Sequence, residues 1–324
     1  MSTTPDYPAP THLVVGGLPI HIYGLSTLSP PRSEQGEGLA ILFLLHGRLS
    51  SASHRTIPRF AHTLLAHADS QRQAAGGQGK ELLVVAFDQR NHGHREVEHE
   101  RNLGWNEKDG NQRHAVDMVA MQTGTARDVS FLIDFLPSAL FPAGERSVTD
   151  WYCAGISLGG HATWLAVADD PRLTLGIPII GSPSSLTLLR DRALNLPPPH
   201  GPIGVPSAQF PASLITLLER LDPDRRPAGA WRGKKLLVLS GEEDELVNYE
   251  KGGTRAFVER LKSEGEPAVV EVWVQEKTGH ACTPEMMHRA ADFVWRYGLS
   301  RATEEEKAGG GEVEVEGGAR GGKL

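Results

Sequence analysis

Residues 151–160 read WYCAGISLGG, a strand-like apolar run that leads into Ser157 and then into a segment of helical character. The pattern predicts a buried strand over 151–156 and a helix from Ser157 through residue 168. A turn between the two must be tight, and the glycines at 155 and 159 supply flanking positions without side chains. Such a turn holds the hydroxyl of Ser157 out above the sheet.

The motif G-x-S-x-G is a weak signal alone, because glycine and serine are common in this chain. Its position between a strand and a helix makes it informative, since the helix N-terminus favours negative charge that forms nearby. We therefore interpret Ser157 as a candidate nucleophile. The alternative interpretation is a glycine-rich turn with a helix-capping serine.

Apolar runs of strand length recur along the chain and alternate with segments of helical character. Two of them are continuous, which is typical of strands buried on both faces. This alternation predicts an α/β fold with a doubly wound, mostly parallel sheet. An antiparallel hairpin around Gly16 and Gly17 precedes it. The predicted strands are 13–15, 20–23, 39–45, 82–87, 151–156, 175–180, 235–240 and 269–274, and helices are predicted over 57–68 and 125–136, the latter ending at Pro137.

The composition suggests one folded domain with unstructured ends. We expect a loose lead-in over 1–10, an α/β domain over 11–299 and a disordered Glu/Gly-rich tail over 300–324. Residues 183–232 interrupt the strand–helix rhythm and predict a lid-like insertion with one apolar helix, 212–221. Its Leu214, Ile215, Leu217 and Leu218 either form an apolar wall over the site or pack against the body.

The segment 89–121 is polar, contains four histidines and Trp105, and is long for a plain connection. Loops of more than about 12–15 residues in compact domains tend to be functional, so we expect this one to line a pocket. Its histidines do not occur in pairs at i, i+4 with a glutamate, as a zinc hydrolase would need. The sequence therefore predicts neither a metal nor a cofactor.

A seryl hydroxyl needs a base, and the base needs a carboxylate that orients it. His280 lies in the loop after the predicted strand 269–274, and Asp244 lies just after the strand 235–240. Catalytic groups collect at the carboxyl ends of strands in open parallel sheets. We expect His280 as general base and Asp244 as its acid, with the neighbouring Glu242, Glu243 and Glu245 as alternatives for the acid.

Acyl transfer also requires hydrogen-bond donors for a developing oxyanion. The backbone N–H after the nucleophile belongs to Leu158, and a second N–H is expected from the loop that follows the strand 39–45, where we choose Arg48. The side chain of Arg48 would meet an acidic substrate group or lie in solvent.

Charge and cysteine content limit the partners. A formal net charge of −7 gives no reason to expect nucleic acid or an anionic membrane as partner. Cys153 and Cys282 are too few for a disulfide scaffold, which favours a reducing, cytoplasmic setting. The longest apolar run, 39–45, is too short to span a membrane. The ending Gly322-Lys323-Leu324 differs by one residue from a peroxisomal address, and a chance match is the alternative.

Five segments together resemble the α/β-hydrolase superfamily, nearest its prolyl-oligopeptidase-like and dienelactone-hydrolase-like serine esterases. The resemblance covers about residues 39–297 and rests on the order of the segments. It implies the fold, a Ser157–His280–Asp244 triad and hydrolysis of an ester-type bond in a small to medium molecule, and it implies that Asp88, Arg90 and His92 are architectural. The segments are LHG at 45–47, DQRNHG at 88–93, GISLGG at 155–160, G-x-x-D-x-x-V at 241–247 and GH at 279–280.

Two departures bear on the substrate. We expect no large N-terminal propeller of the kind that restricts oligopeptidases to peptides, and the loop after the strand 39–45 reads His-Gly-Arg rather than His-Gly-Gly. A carboxylic-ester hydrolase is the favoured prediction. The alternatives are a non-catalytic ligand-binding or interaction protein on the same fold, or a thioesterase, lactonase, acyltransferase or peptidase that uses the same residues. The sequence does not indicate the oligomeric state.

Overall fold

A computed structural model describes residues 8–30, 38–107 and 110–301 of the 324-residue chain. Its strands form one eight-stranded sheet in the order β1-β2-β4-β3-β5-β6-β7-β8. β1 pairs antiparallel with β2, and β2 pairs antiparallel with β4. The other neighbouring strands, from β4 through β3, β5, β6 and β7 to β8, pair in parallel. The strands are β1 Thr11–Val15, β2 Leu18–Tyr23, β3 Leu39–Leu45, β4 Glu81–Phe87, β5 Val148–Ile156, β6 Leu173–Ile179, β7 Lys235–Gly241 and β8 Val269–Gln275.

Helices cover both faces of the sheet. In the described part of the chain the α-helices are α1 Thr56–Ala74, α2 His114–Leu140, α3 Leu158–Asp169, α4 Ser185–Leu194, α5 Ala212–Leu221, α6 Thr254–Glu264 and α7 Pro284–Val294. The central strand β3 is buried at all seven positions. Its Ile41 and Phe43 pack with side chains of α2, α3 and α6, whereas its Leu42 and Leu44 pack with α1 and α7. This two-sided burial explains why the strand reads as a continuous apolar run.

The predicted fold class is confirmed: an N-terminal hairpin turns at Gly16-Gly17 and leads into a mostly parallel sheet. The helix predicted over 125–136 is longer than expected. α2 begins at His114, so the polar segment before it ends at residue 113, and Pro137 lies inside the helix instead of ending it. The first turns of α2 were not predicted because several of their buried residues, among them His114 and Gln122, are polar and interrupt the apolar pattern of a helix.

The region 183–232 contains two α-helices where one was predicted. α4 begins beside Ser184, whose side chain accepts a hydrogen bond from the N–H of Thr187. Its buried Leu186 and Leu189 join Trp105 and residues of α5 in a separate apolar cluster. α4 was missed because prolines flank it on both sides in the sequence.

The apolar helix α5 packs differently from an apolar wall over the site. Leu214 and Leu218 are buried in the cluster with α4 and Trp105, and Ile215 and Leu217 pack against that cluster. None of the four lines the cavity that opens onto Ser157 and His280. The alternative, packing against the body, is therefore the one observed. Most of the tail predicted over 300–324 and most of the lead-in predicted over 1–10 lie outside the described residues.

Candidate active site

β5 ends in a tight turn that carries Ser157. Ser157 has φ 55° and ψ −109°, a backbone conformation that residues other than glycine rarely adopt. Its N–H donates to the carbonyl of Ile179 at 2.9 Å, which ties the turn to β6. A local structure that holds an unfavourable φ is typical of functional sites.

The glycines beside Ser157 allow a very close approach of backbone. A Cβ on Gly155 would collide with the carbonyl of Gly159, and one on Gly159 would lie 2.5 Å from the carbonyl oxygen of Leu45. A Cβ on Gly160 would lie 2.7 Å from the carbonyl oxygen of Ile179. α3 thus starts in direct contact with two neighbouring strands, and side chains at these positions would push it away.

The structure brings together the three side chains predicted from chain order. The Oγ atom of Ser157 lies 2.7 Å from Nε2 of His280. The Nδ1 atom of the same imidazole lies 2.7 Å from Oδ2 of Asp244. Ser157 follows β5, Asp244 follows β7 and His280 follows β8, so all three stand at the carboxyl end of the sheet.

Asp244 is fully buried and well supplied with donors. Its Oδ1 accepts hydrogen bonds from the N–H groups of Leu246 and Val247, both at 2.9 Å, and its Oδ2 faces His280. Burial alone would raise the pKa of Asp244, but the hydrogen bonds from His280 and these backbone N–H groups hold it below its usual value. The carboxylate is therefore ionised at neutral pH.

The competing acidic residues are placed differently. Glu242, Glu243 and Glu245 are all exposed. Glu242 accepts from the backbone N–H of Lys277 at 3.1 Å. Of the four carboxylates in this segment, Asp244 is the one whose hydrogen bond to His280 is observed.

A cavity of about 480 Å³ opens onto Ser157 and His280. Gly47 and Arg48 line it, and a Cβ on Gly47 would lie 3.7 Å from the Cβ of Ser157. Leu158 is the first residue of α3, where the N–H groups have no acceptor within the helix. Both predicted oxyanion donors, Leu158 and Arg48, thus belong to segments next to Ser157.

The side chain of Arg48 is held by protein groups. Its Nη1 donates to the carbonyl of Asn102 at 2.6 Å and pairs with Oε1 of Glu107 at 2.9 Å. This guanidinium therefore has a neutralising partner before any substrate is bound.

Other residues of the cavity wall were not predicted individually. The segment 89–121 supplies Trp105, His114 and Met118, which confirms that it lines the pocket. The C-terminal part of α4 and the residues after it supply a further side, including Arg192 and Leu196. Apolar parts of the wall come from Ile156, Ile180, Pro197, Leu246 and Cys282, and polar parts include Thr56, His161 and Glu245.

The segment at 88–93 holds the loops in place. Asp88 accepts from the N–H groups of Ala52 and His94, each at 2.8 Å. Arg90 pairs with Asp128 at 3.0 Å, and His92 is buried. Asp88, Arg90 and His92 are absent from the cavity wall, in line with the expected architectural role.

Within the described ranges, no group of three or more His, Cys, Asp or Glu side chains is arranged to hold a metal ion. Among the same residues, no helix has the length and apolarity needed to cross a membrane.

Comparisons with known proteins give matches in structure alone. No family model matches the chain, and no curated protein sequence does. TT1662 from Thermus thermophilus is 20% identical with a TM-score of 0.59, over 88% of this chain and 96% of its own. The esterase Pf2001 from Pyrococcus furiosus is 18% identical with a TM-score of 0.53, over 90% of this chain and 93% of its own.

A peptidase has the same core. The acylaminoacyl peptidase of Pyrococcus horikoshii is 15% identical with a TM-score of 0.58, over 94% of this chain but only 44% of its own. Identities this low are evidence of a shared fold. The sheet order, the turn at Ser157 and these structural matches together show that the chain has the α/β-hydrolase fold.

Proposed function

We propose that this chain is a serine-dependent hydrolase that cleaves carboxylic esters of small to medium molecules through an acyl-enzyme on Ser157. The observation that carries the proposal is the continuous pair of 2.7 Å contacts from Ser157 through His280 to Asp244. Nucleophile, base and orienting acid within hydrogen-bond reach are what nucleophilic acyl transfer requires.

The hydrogen bonds define the direction of proton transfer. Ionised Asp244 can only accept, so Nδ1 of His280 carries the hydrogen of their contact. In the neutral imidazole Nε2 then has a lone pair, which accepts from the hydroxyl of Ser157. This is the tautomer a general base needs, and Asp244 fixes it.

The reaction then follows in two halves. His280 takes the proton of Ser157 as Oγ attacks the acyl carbonyl, and the N–H groups of Leu158 and Arg48 stabilise the oxyanion. The imidazolium protonates the departing alcohol, which leaves an acyl group on Ser157. Water deprotonated by His280 releases the acid and regenerates the hydroxyl. No cofactor or metal takes part.

The size of the site supports small to medium substrates. A cavity of about 480 Å³ is in the range that holds small molecules in proteins. We expect acyl chains of modest length, because the wall mixes apolar side chains with several polar ones.

The test combines turnover and covalent labelling. The protein is assayed with p-nitrophenyl esters from acetate to laurate and then treated with a fluorophosphonate. Ser157→Ala should abolish both turnover and label, because it removes the attacking oxygen. Ser70→Ala is the matched control, since Ser70 is exposed on α1. A protein that neither hydrolyses the esters nor takes the label would instead be a non-catalytic binding protein.

A further inference from the structure

Arg192 occupies an unusual place in the cavity wall. It lies on α4, and its Nη2 donates to the carbonyl of Leu246 at 2.6 Å. Its Nε has no contact with solvent and no hydrogen-bond partner. Among the described residues, no carboxylate forms an ion pair with this guanidinium. One neutral carbonyl is thus the observed partner of a group with five N–H donors.

Such an arrangement costs free energy of folding. Arg192 is half-buried, and removing even part of an arginine's charge from water is expensive unless an anion compensates. Burial, followed by the charge of Arg48, lowers the pKa of Arg192 to about 10, and Asp244 and Asp191 offset only part of this effect. Arg192 therefore remains a cation at neutral pH, and its positive charge persists inside the cavity.

The other charged groups in or beside the cavity are already engaged or lie in solvent. Arg48 is paired with Glu107 at 2.9 Å. Asp244 is bonded to His280 and to two backbone N–H groups. Asp191 and Glu245 are exposed, where water screens their charges. Arg192 is therefore the partly buried charge in the cavity wall that has no counter-ion among the described residues.

We propose that Arg192 binds a carboxylate of the substrate, so that the preferred esters carry a negative charge in addition to the scissile ester. This inference rests on the proposed ester hydrolysis at Ser157, because Arg192 and Ser157 line the same cavity. A single negative charge matches one uncompensated guanidinium. A dianion such as a phosphate would leave an excess negative charge near ionised Asp244. Two N–H groups of arginine can also hold both oxygens of a carboxylate.

The experiment compares substrates that differ only in this charge. Monomethyl glutarate is paired with its primary amide, which has nearly the same shape and no charge. A second pair places the charge on the alcohol side: the acetate ester of a hydroxy acid and that of the corresponding hydroxy amide. Release of methanol or acetate at about pH 7.5 gives kcat/KM for each, and the readout is the charged-to-neutral ratio within a pair.

Three variants separate charge recognition from structure. Arg192→Gln removes the charge, Arg192→Lys keeps it, and Arg190→Gln removes an exposed charge from the same helix. The wild type should prefer the charged member of at least one pair. Arg192→Gln should lower that ratio about 10- to 100-fold, as loss of a charge-assisted hydrogen bond does. Arg192→Lys should retain part of the preference, and Arg190→Gln should retain all of it.

The failures can be told apart. If the wild type hydrolyses neutral p-nitrophenyl esters and takes the fluorophosphonate but shows no preference in either pair, the carboxylate subsite is wrong and the hydrolase stands. If Arg192→Gln lowers both members of a pair equally, Arg192 only anchors α4 to Leu246, and the inference is overturned. If the protein hydrolyses none of these esters and takes no label, the proposed function itself has failed.

Discussion

Oδ2 of Asp244 and Nδ1 of His280 are 2.7 Å apart, although 36 residues separate them along the chain. In Asp244→Asn the amide can keep the bonds from Leu246 and Val247, but its NH2 group would face His280 and favour the wrong tautomer. We expect kcat to fall about 10⁴-fold with the melting temperature nearly unchanged. Turnover of p-nitrophenyl acetate and circular dichroism check this, with exposed Glu243→Gln as control. Full activity in Asp244→Asn would transfer the acid role to another residue.

The positive φ of Ser157 predicts an inverted order of stability between two inactive variants. At ordinary positions alanine is more stable than glycine, because glycine has more freedom in the unfolded chain. At φ 55° alanine retains the backbone strain and glycine relieves it. Ser157→Gly should therefore exceed Ser157→Ala in free energy of unfolding by about 1 kcal/mol. Urea denaturation measures the difference, and the usual order, with alanine ahead, would argue against strain at this turn.

The contact between Gly159 and Leu45 predicts a steric effect. A methyl group 2.5 Å from the carbonyl oxygen of Leu45 must displace the start of α3, and with it Ser157. Gly159→Ala should lose about 1–3 kcal/mol of stability and most of its ester hydrolysis. Gly229→Ala is the control, because a Cβ there meets no atom within 4 Å. Thermal melts and kcat/KM are measured for both variants. If Gly159→Ala behaves like Gly229→Ala, the close approach of Gly159 to the carbonyl of Leu45 is contradicted.

Asp222 predicts a pH dependence of stability. Its carboxylate is buried and accepts the N–H of Leu186 in the first turn of α4 at 2.8 Å. Burial raises the pKa of Asp222 to about 7, against about 3.9 in an unfolded chain. The folded state then binds a proton more readily, so this group lowers stability as the pH rises from about 4 to 7.

In Asp222→Asn this destabilising ionisation is absent. The variant should gain about 1–3 kcal/mol relative to wild type between pH 5 and pH 8, since one pKa unit corresponds to 1.36 kcal/mol. Urea unfolding at both pH values gives the difference, and Ser70→Ala, at an exposed site without a titratable group, should show none. A difference that stays constant with pH would mean that Asp222 ionises normally.

The strands and the chain order of the site were predictable from sequence because each depends on local pattern. β3 is apolar throughout because it is buried on both faces. The glycines around Ser157 are needed because the turn brings backbone atoms very close together. The start of α2 was not predictable, because its first turns bury polar residues against other elements. The existence of α4 was not predictable, because prolines flank it in the sequence and its apolar side chains pack against distant elements. The position of Arg192 depends on its approach to Leu246, 54 residues later in the chain, and an arginine near a helix end ordinarily indicates only a favourable interaction with the helix dipole.

β8 is the last strand of the described sheet and pairs with β7 alone. None of its seven residues is fully buried, and His280 lies in the loop just beyond it. Detachment of this strand would carry the imidazole away from Ser157 while the central strands stay packed. Local openings of this kind cost less free energy than global unfolding. Catalytic activity would then be lost when β8 detaches, at a temperature below the melting temperature of the whole domain.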